Sequence, residues 1–470
     1  MTLSLRFSVL SASGLVAAGL ALGAGCGTDE GGGDTSPFAK NARGEPCQGL
    51  ACEVADCGSG TTSLSGTVFA PNGTLPLYNA IVYVPNKPLD AVPEGASCDR
   101  CGFVSGEPIT TALTDTHGRF LLKGVPVGKD VPLVVQVGKW RRELVVPEVK
   151  RCADTPVPVT ATRLPKNSTE GHIPKIAVTT GWCDQLACLL PKLGLDASEY
   201  SLDHSKGRLH LFRGSESKPQ GGAAPLPAPA PGGTADAQPF WSDPNQLKSY
   251  DMLMLSCECG EHLETKPQQA LDALYGYASI GGRVFASHFH YVWFQNGPPE
   301  MRGTAQWFGS PQNPQTDKIE KPFFVDTSFP KGAALSDWLT VVGASTTKGQ
   351  MPINEVRENV GPVVSSSAQR WVYGKKTIIP FISSMETTKY LTVNAPVGKP
   401  VEQQCGKATF ADMHLYAGDV QAAPGLPNDA FPASCSASLT AEEKALAFLF
   451  FDLSSCVQKE DDEPKAPAPK

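Results

Sequence analysis

Three short polar segments each follow an apolar run that reads as a β-strand: Ser256-Cys257-Glu258, His288-Phe289-His290 and Asp412-Met413-His414. Residues at i and i+2 of a strand share a face. His288 therefore pairs with His290, and Asp412 with His414. Imidazole and carboxylate are ordinary ligands of divalent metals. These four residues are candidate ligands, and a divalent metal is the one cofactor the pattern admits. Glu258 is then the candidate general base acting on metal-bound water. Two blander readings stand beside this one. The same side chains can hydrogen-bond loops at the sheet edge, helped by Tyr291 and Trp293, or line a pocket for a ligand without metal. His172, His204 and His210 fall in no partner pattern and read as structural or exposed. Asp184 reads as a helix cap.

The elements that must position these residues begin near Ile173. Lys175–Gly181 is an apolar strand, Cys183–Leu195 an amphipathic helix closed by Gly194, and Leu209–Phe212 a second strand. The Pro/Ala/Gly-rich stretch 214–239 reads as a disordered surface insertion. Tyr250–Ser256 is a buried strand, Pro267–Ile280 a helix, Gly281–His288 a strand, Gly406–His414 another. Leu439–Leu453 is a last helix, with Ser438 or Thr440 as its cap. Strands alternating with helices predict a parallel sheet with right-handed crossovers, whose ligands bind at the carboxyl ends of the strands. The run Tyr250–Leu255, the following helix, Gly281-Gly282 and Phe285–His288 resembles the class I glutamine-amidotransferase-like superfold, and within it the trehalose-utilisation branch. The resemblance implies a flavodoxin-like α/β domain over 172–456. Amidotransferases carry a nucleophilic cysteine in a Gly-x-Cys-x-Gly elbow. Here the strand after Gly281-Gly282 ends in Ser287-His288, so the resemblance does not carry that activity over.

Residues 63–165 have a different texture. Short alternating strands around Leu64–Phe69, Ala80–Val84, Thr111–Leu122 and Val131–Val137 are separated by turns at Pro71–Thr74, Asp115–Gly118 and Val125–Gly128. Even spacing of this kind predicts an antiparallel β-sandwich. The motifs Gly66-x-Val68, Ala80-x-Val82, Thr114-Asp115-x-x-Gly118-x-Phe120 and Val125-Pro126-x-Gly128 resemble the carboxypeptidase regulatory-like domain, a transthyretin-like sandwich. That resemblance implies a spacer, stabiliser or adhesion module without catalytic residues. Asp115 and His117 read as turn residues. An insertion at Pro88–Pro108 holds Cys98 and Cys101.

The amino terminus supplies an address. Arg6 is the only side-chain charge before Cys26, an apolar stretch runs from Leu15 to Leu22, and Gly23-Ala24-Gly25 precede the cysteine. This reads as a signal peptide over 1–25, and the small residues before Cys26 resemble a bacterial lipobox. Gly23 stands where lipoboxes favour leucine. The resemblance makes Cys26 the lipidated first residue of a mature lipoprotein, with 26–62 as a cysteine-containing tether. It implies a cell-envelope location, the outer membrane before the inner, and the membrane as partner. In an oxidising compartment the remaining thirteen cysteines are disulfide candidates: Cys47, Cys52, Cys57, Cys98, Cys101, Cys152, Cys183, Cys188, Cys257, Cys259, Cys405, Cys435 and Cys456. Their odd number leaves at least one thiol over or an intermolecular bridge. Cys98-x-x-Cys101 and Cys257-x-Cys259 also raise zinc or redox chemistry.

The chain's 470 residues suit two or three domains, and 41% apolar content suits globular ones. Forty Lys and Arg against 47 Asp and Glu give a net charge of −7. With no basic run, that argues against nucleic acid as a partner. Gly281-Gly282 is too short for a nucleotide loop, and no Ser/His/Asp elbow or paired-carboxylate motif is present. The expected fold is multidomain: an antiparallel β-sandwich, a flavodoxin-like α/β domain with a parallel sheet, and a disordered tail at 457–470. The leading functional reading is an envelope lipoprotein of structural or ligand-binding role, its ligand an envelope protein or a carbohydrate. The alternative is an envelope hydrolase or carbohydrate-acting enzyme using the strand-end His/Asp cluster.

Overall fold

The computed structural model describes residues 40–41, 44, 46–181, 183–184, 186–215, 234–309, 317–378, 383–414, 435 and 438–470. The expected leader, Cys26 and most of the insertion 214–239 lie outside the described residues, although 237–239 open the short helix Ala237–Trp241.

The first strands form two small sheets. β1 (Ser63–Thr67), β2 (Ile81–Pro85), β3 (Pro108–Leu113), β4 (Arg119–Lys123), β5 (Gly128–Val137), β6 (Trp140–Val149) and β7 (Asp154–Pro156) pair in the orders β4-β1-β7 and β3-β2-β5-β6. All of these pairings are antiparallel except β1–β7, which is parallel. β4 shows why the sequence alternates. Phe120 and Leu122 point into the core, while Arg119, Leu121 and Lys123 are exposed, the period-2 pattern of a half-buried strand.

A ten-stranded mixed sheet follows. Its parallel part is β8 (Ile176–Thr179), β9 (Tyr200–Ser201), β10 (Leu209–Phe212), β11 (Met252–Leu255), β12 (Arg283–Ser287) and, last in the chain, β19 (Gly406–Ala411). Between β12 and β19 the chain adds β13 (Ala305–Trp307), β14 (Asp317–Val325), β15 (Gln350–Met351), β16 (Val360–Val363), β17 (Ala368–Ile378) and β18 (Ser383–Ala395). The sheet order is β15-β14-β17-β18-β19-β12-β11-β8-β10-β9, and β13 and β16 pair separately. Every residue of β8, β10, β11, β12 and β19 is buried. Strands covered on both faces read as unbroken apolar runs, and this made them legible. The antiparallel extension β15-β14-β17-β18 corrects the expected parallel sheet to a mixed one.

The helix Gln268–Ser279 lies within one residue of its expected bounds at each end. The last helix, Ala441–Ser454, is capped reciprocally by Thr440 and Glu443. The expected helix over Cys183–Leu195 is corrected to a 3-10 turn at Leu186–Cys188 and a single α-turn at Leu189–Lys192. Among the described residues, no helix is long and apolar enough to cross a membrane.

One continuous apolar core joins the small sheets to the mixed sheet through the last helix. That helix is buried nearly all round, as befits one packed between layers. Trp140 meets Phe450 and Phe451 edge-on, Tyr78 stacks on Phe448, and the Trp338 indole donates to the Pro76 carbonyl. The insertion bearing Cys98 and Cys101 lies against the amino ends of β11 and β12. A Cβ on Gly281 would stand 2.1 Å from the Ser97 carbonyl oxygen. The Gly281-Gly282 pair is therefore explained by close packing.

Among the described residues six disulfides hold the arrangement: Cys47–Cys52, Cys57–Cys152, Cys98–Cys405, Cys101–Cys456, Cys183–Cys259 and Cys188–Cys435. Cys98 and Cys101 go to separate distant partners rather than forming a zinc or redox pair. Cys257 is corrected from disulfide candidate to free, buried thiol. The tail is corrected too. Val457 pairs with Asp99, Glu460 forms ion pairs with Lys331 and Lys407, and the Lys470 amide donates to Pro108. Val457, Glu460 and Lys470 thus tie the segment 457–470 to the body at three points.

Candidate functional site

The polar groups at the carboxyl ends of β8, β11, β12 and β19 are nearly all buried and bound to one another or to the surrounding backbone. β12 stops at Ser287, and His288 turns the chain into a 3-10 turn at a left-handed φ of 38°. A non-glycine residue in that region is strained and persists only where packing fixes it. The turn breaks the period-2 geometry expected of His288 and His290, and the two rings go separate ways. His290 donates from Nε2 to the Ser256 carbonyl at 2.8 Å and accepts from the Trp293 indole at 2.9 Å. Both nitrogens are thereby used and the neutral ring is favoured. Burial lowers its pKa to about 4, against a smaller opposing effect of Glu258.

His288 instead faces Cys257 and His414. Its Nδ1 stands 3.3 Å from the Cys257 Sγ, and its ring meets that of His414 edge-on at 4.5 Å. Burial, then the neighbouring His414, pushes the His288 pKa well below its ordinary value. Burial, then the Asp184 carboxylate, pushes the Cys257 thiol well above its own. The thiol is therefore the donor and His288 the acceptor. A protonated thiol is a poor nucleophile.

Asp184 organises the other side of the cluster. Its carboxylate accepts from Ser287 Oγ at 2.5 Å and from His414 Nδ1 at 3.1 Å, while Ser287 Oγ accepts from the Cys257 amide at 3.1 Å. The expected role of Asp184 as a helix cap is corrected, because the turn that follows is too short and begins beyond it. Close backbone approach completes the packing: a Cβ on Gly181 would stand 2.1 Å from the Cys257 carbonyl oxygen.

Asp412 is not the ligand partner of His414. Its carboxylate pairs with Lys389 at 3.0 Å and accepts from the amides of Asn359 and Val360. Both ion-pair partners are wholly buried. Glu258 is likewise committed. It pairs with Lys266 at 2.5 Å and accepts from the Ser215 amide, and Lys266 also lies 5.2 Å from the centre of the Trp241 ring. Burial alone raises the Glu258 pKa, but His290, Lys266 and the Ser215 amide together hold it below its ordinary value. A carboxylate so held is a weak base and faces no open space, so its assignment as general base is corrected to a structural ion-pair partner. The metal set His288, His290, Asp412 and His414 is corrected as well. Only His288 and His414 come together, and they do so around Cys257 and Asp184. The sequence reading named Cys257 as a disulfide candidate and Asp184 as a helix cap, not as partners of His288 and His414; the thirteen cysteines other than Cys26 signalled a spare thiol or an intermolecular bridge.

His210, on β10 beside β8, bonds the Tyr250 hydroxyl at 2.8 Å and stacks on His204. Burial lowers its pKa to about 4. His172 Nδ1 donates to the Lys139 carbonyl. Both fit the structural role expected of them.

No family model and no curated protein matches the chain. Among solved structures, the chain has slight similarity to two type II cohesin–X-dockerin complexes from Acetivibrio cellulolyticus. One is 17% identical with a TM-score of 0.14, over 22% of this chain and 56% of that one. The other is 13% identical with a TM-score of 0.16, over 29% and 85%. A 9R-lipoxygenase from Cyanothece PCC8801 is 8% identical over 76% of this chain and 44% of its own, with a TM-score of 0.11. The chain spans about half the length of the first of these, and likeness at this level carries no argument about fold or activity.

Proposed function

We propose that the chain is a lipid-anchored protein of the bacterial cell envelope with a structural or ligand-binding role. In this reading a transthyretin-like sandwich of the carboxypeptidase regulatory-like kind is clamped to a flavodoxin-like α/β domain. The observation that carries it is the state of the strand ends. Where a doubly wound sheet presents its ligand site, Glu258, His288, His290, Asp412 and His414 are at most 3% exposed and engaged with protein partners. The strand order β10-β8-β11-β12-β19, first to fifth as 2-1-3-4-5, supports the flavodoxin-like reading. The opposed sheets β4-β1-β7 and β3-β2-β5-β6 support the sandwich, and the six disulfides support an oxidising compartment.

Two experiments test this. Iodoacetamide added to the folded chain should leave Cys257 unmodified, with full modification only after denaturation. Rapid stoichiometric labelling of the folded protein would reveal an open, reactive thiol and sink the non-catalytic role. In cells fed radioactive palmitate, the wild-type chain should carry label and Cys26→Ser should not. Label persisting in Cys26→Ser would refute the anchor.

A second reading rests on His288. The strained turn that follows β12 resembles the backbone of a nucleophile elbow, with His288 at the strained position and the Cys257 thiol, from the end of the neighbouring strand β11, 3.3 Å away. The same alkylation result decides against it or for it.

A further inference from the structure

The disulfide Cys183–Cys259 lies beside the buried thiol. A sulfur of Cys183, the Cys257 Sγ and a ring nitrogen of His414 all lie within 4.8 Å of one another. We propose that opening the Cys183–Cys259 bridge creates a zinc site, with Cys183, Cys257, His414 and His288 as its four ligands. This goes beyond the role proposed above and does not depend on it.

The geometry needs little adjustment. Zinc–sulfur bonds of about 2.3 Å and zinc–nitrogen bonds of about 2.0 Å put the corners of a tetrahedron about 3.3–3.8 Å apart. The Cys257 Sγ to His288 Nδ1 separation, 3.3 Å, is already that of an edge; the Cys183, Cys257 and His414 atoms have at most about 1 Å to close, and His288 completes the site by a further swing of its ring toward Cys183 and His414. Two sulfurs and two imidazoles are a donor set that selects zinc. Asp184 accepts from His414 Nδ1 at 3.1 Å, which makes Nε2 the unprotonated nitrogen and supplies the outer carboxylate that zinc-binding histidines use. Ser287 holds the other Asp184 oxygen.

Charge explains why the bridge is the gate. The site is buried, with Cys257, His288 and His414 no more than 3% exposed, so an uncompensated charge is costly there. With the disulfide closed, only Cys257 can supply a thiolate, and a dication would keep a net positive charge. With it open, two thiolates and two neutral imidazoles balance zinc. A dithiol reductant supplies the two electrons and two protons that convert the bridge to the Cys183 and Cys259 thiols, and is itself oxidised to a disulfide. Zinc then displaces one proton each from Cys183 and Cys257 to solvent, and Cys259 stays a thiol.

Cys259→Ser tests this without touching the other five bridges, because it deprives Cys183 of its bridge partner; the variant is handled without oxygen so that Cys183 and Cys257 do not oxidise to a disulfide with each other. Titrated with cobalt, the variant should take one ion per chain and show the thiolate charge-transfer and tetrahedral d–d bands, both erased by zinc. Adding Cys257→Ser or His414→Ala should weaken binding at least ~100-fold, and adding Asp184→Asn ~10–100-fold. The oxidised wild-type chain should show no such bands. Absence of the bands in a folded Cys259→Ser chain would overturn the proposal. So would bands indifferent to Cys257 and His414, or equally tight binding by the oxidised wild type. Should Cys259→Ser not fold, the wild-type chain treated with limiting dithiol gives the same spectral test with the same two outcomes.

Discussion

Lys266→Met should cost the folded chain about 3–5 kcal/mol, the usual loss when one partner of a buried ion pair is removed. Lys266 and Glu258 are 2.5 Å apart with side chains 1% and 0% exposed. Without the ammonium, the carboxylate must stay charged in a dry site or take up a proton. Methionine keeps most of the apolar stem that packs near Trp241, so the loss reports charge more than volume. Adding Glu258→Gln to Lys266→Met should restore part of the stability, because the amide needs no counter-charge. Urea unfolding of the three variants at neutral pH measures both effects. A single-variant loss under about 1 kcal/mol would mean that water or another cation reaches Glu258. The deficit should also shrink in acid. The folded pKa of Glu258 is depressed, so the stability contributed by its ionised form is present above the ordinary carboxylate range and fades as pH falls through the folded value.

Acid should destabilise the chain before carboxylates begin to titrate. The buried ring of His290 has its pKa lowered from 6.5 to about 4. The unfolded chain binds that proton near pH 6.5 and the folded chain only near pH 4. Stability is therefore fully present above pH 6.5 and falls as pH drops from there to about 4, by about 3 kcal/mol for this one group. His288 and His210, also lowered chiefly by burial, act in the same direction. Asp99 and Glu442, whose pKa values burial raises, act oppositely but in the carboxylate range. Urea midpoints at pH 7, 5.5 and 4.5 measure the slope, and His290→Gln should flatten it. Equal midpoints at pH 7 and 4.5 would show that His290 titrates normally in the folded chain.

The corrected site and the predicted stability losses share one origin. The strand-end residues are polar, which suggests chemistry, but most of them are satisfied by a partner far away in sequence; Glu258, paired with Lys266 eight residues on, is the exception. Lys389 reaches Asp412 across 23 residues, His414 reaches Asp184 across 230, and His288 reaches Cys257 across 31. Nothing in local spacing encodes such pairings.

The sequence by itself determined the elements whose burial is uniform or strictly alternating. The apolar runs of β8, β10, β11, β12 and β19 could sit only between two covering layers, and the alternation of β4 fixed its inward face. Ser438 or Thr440, with Glu442 and Glu443 just after, marked the start of the last helix, and the structure selects Thr440 through its reciprocal bonds with Glu443. With Cys26 set aside as the expected lipid site, the thirteen other cysteines pointed to a spare thiol or an intermolecular bridge. Which cysteine it was, and what surrounds it, only the tertiary structure decided. The turn at His288 aims one imidazole at Cys257 and sends the other to a carbonyl. The packing of Gly181 against Cys257 closes the strand ends, and the bridge from Cys183 to Cys259 withholds the sulfur that a metal would need. These are outcomes of long-range packing in a dry interior, where each polar group must find whichever partner the fold brings near.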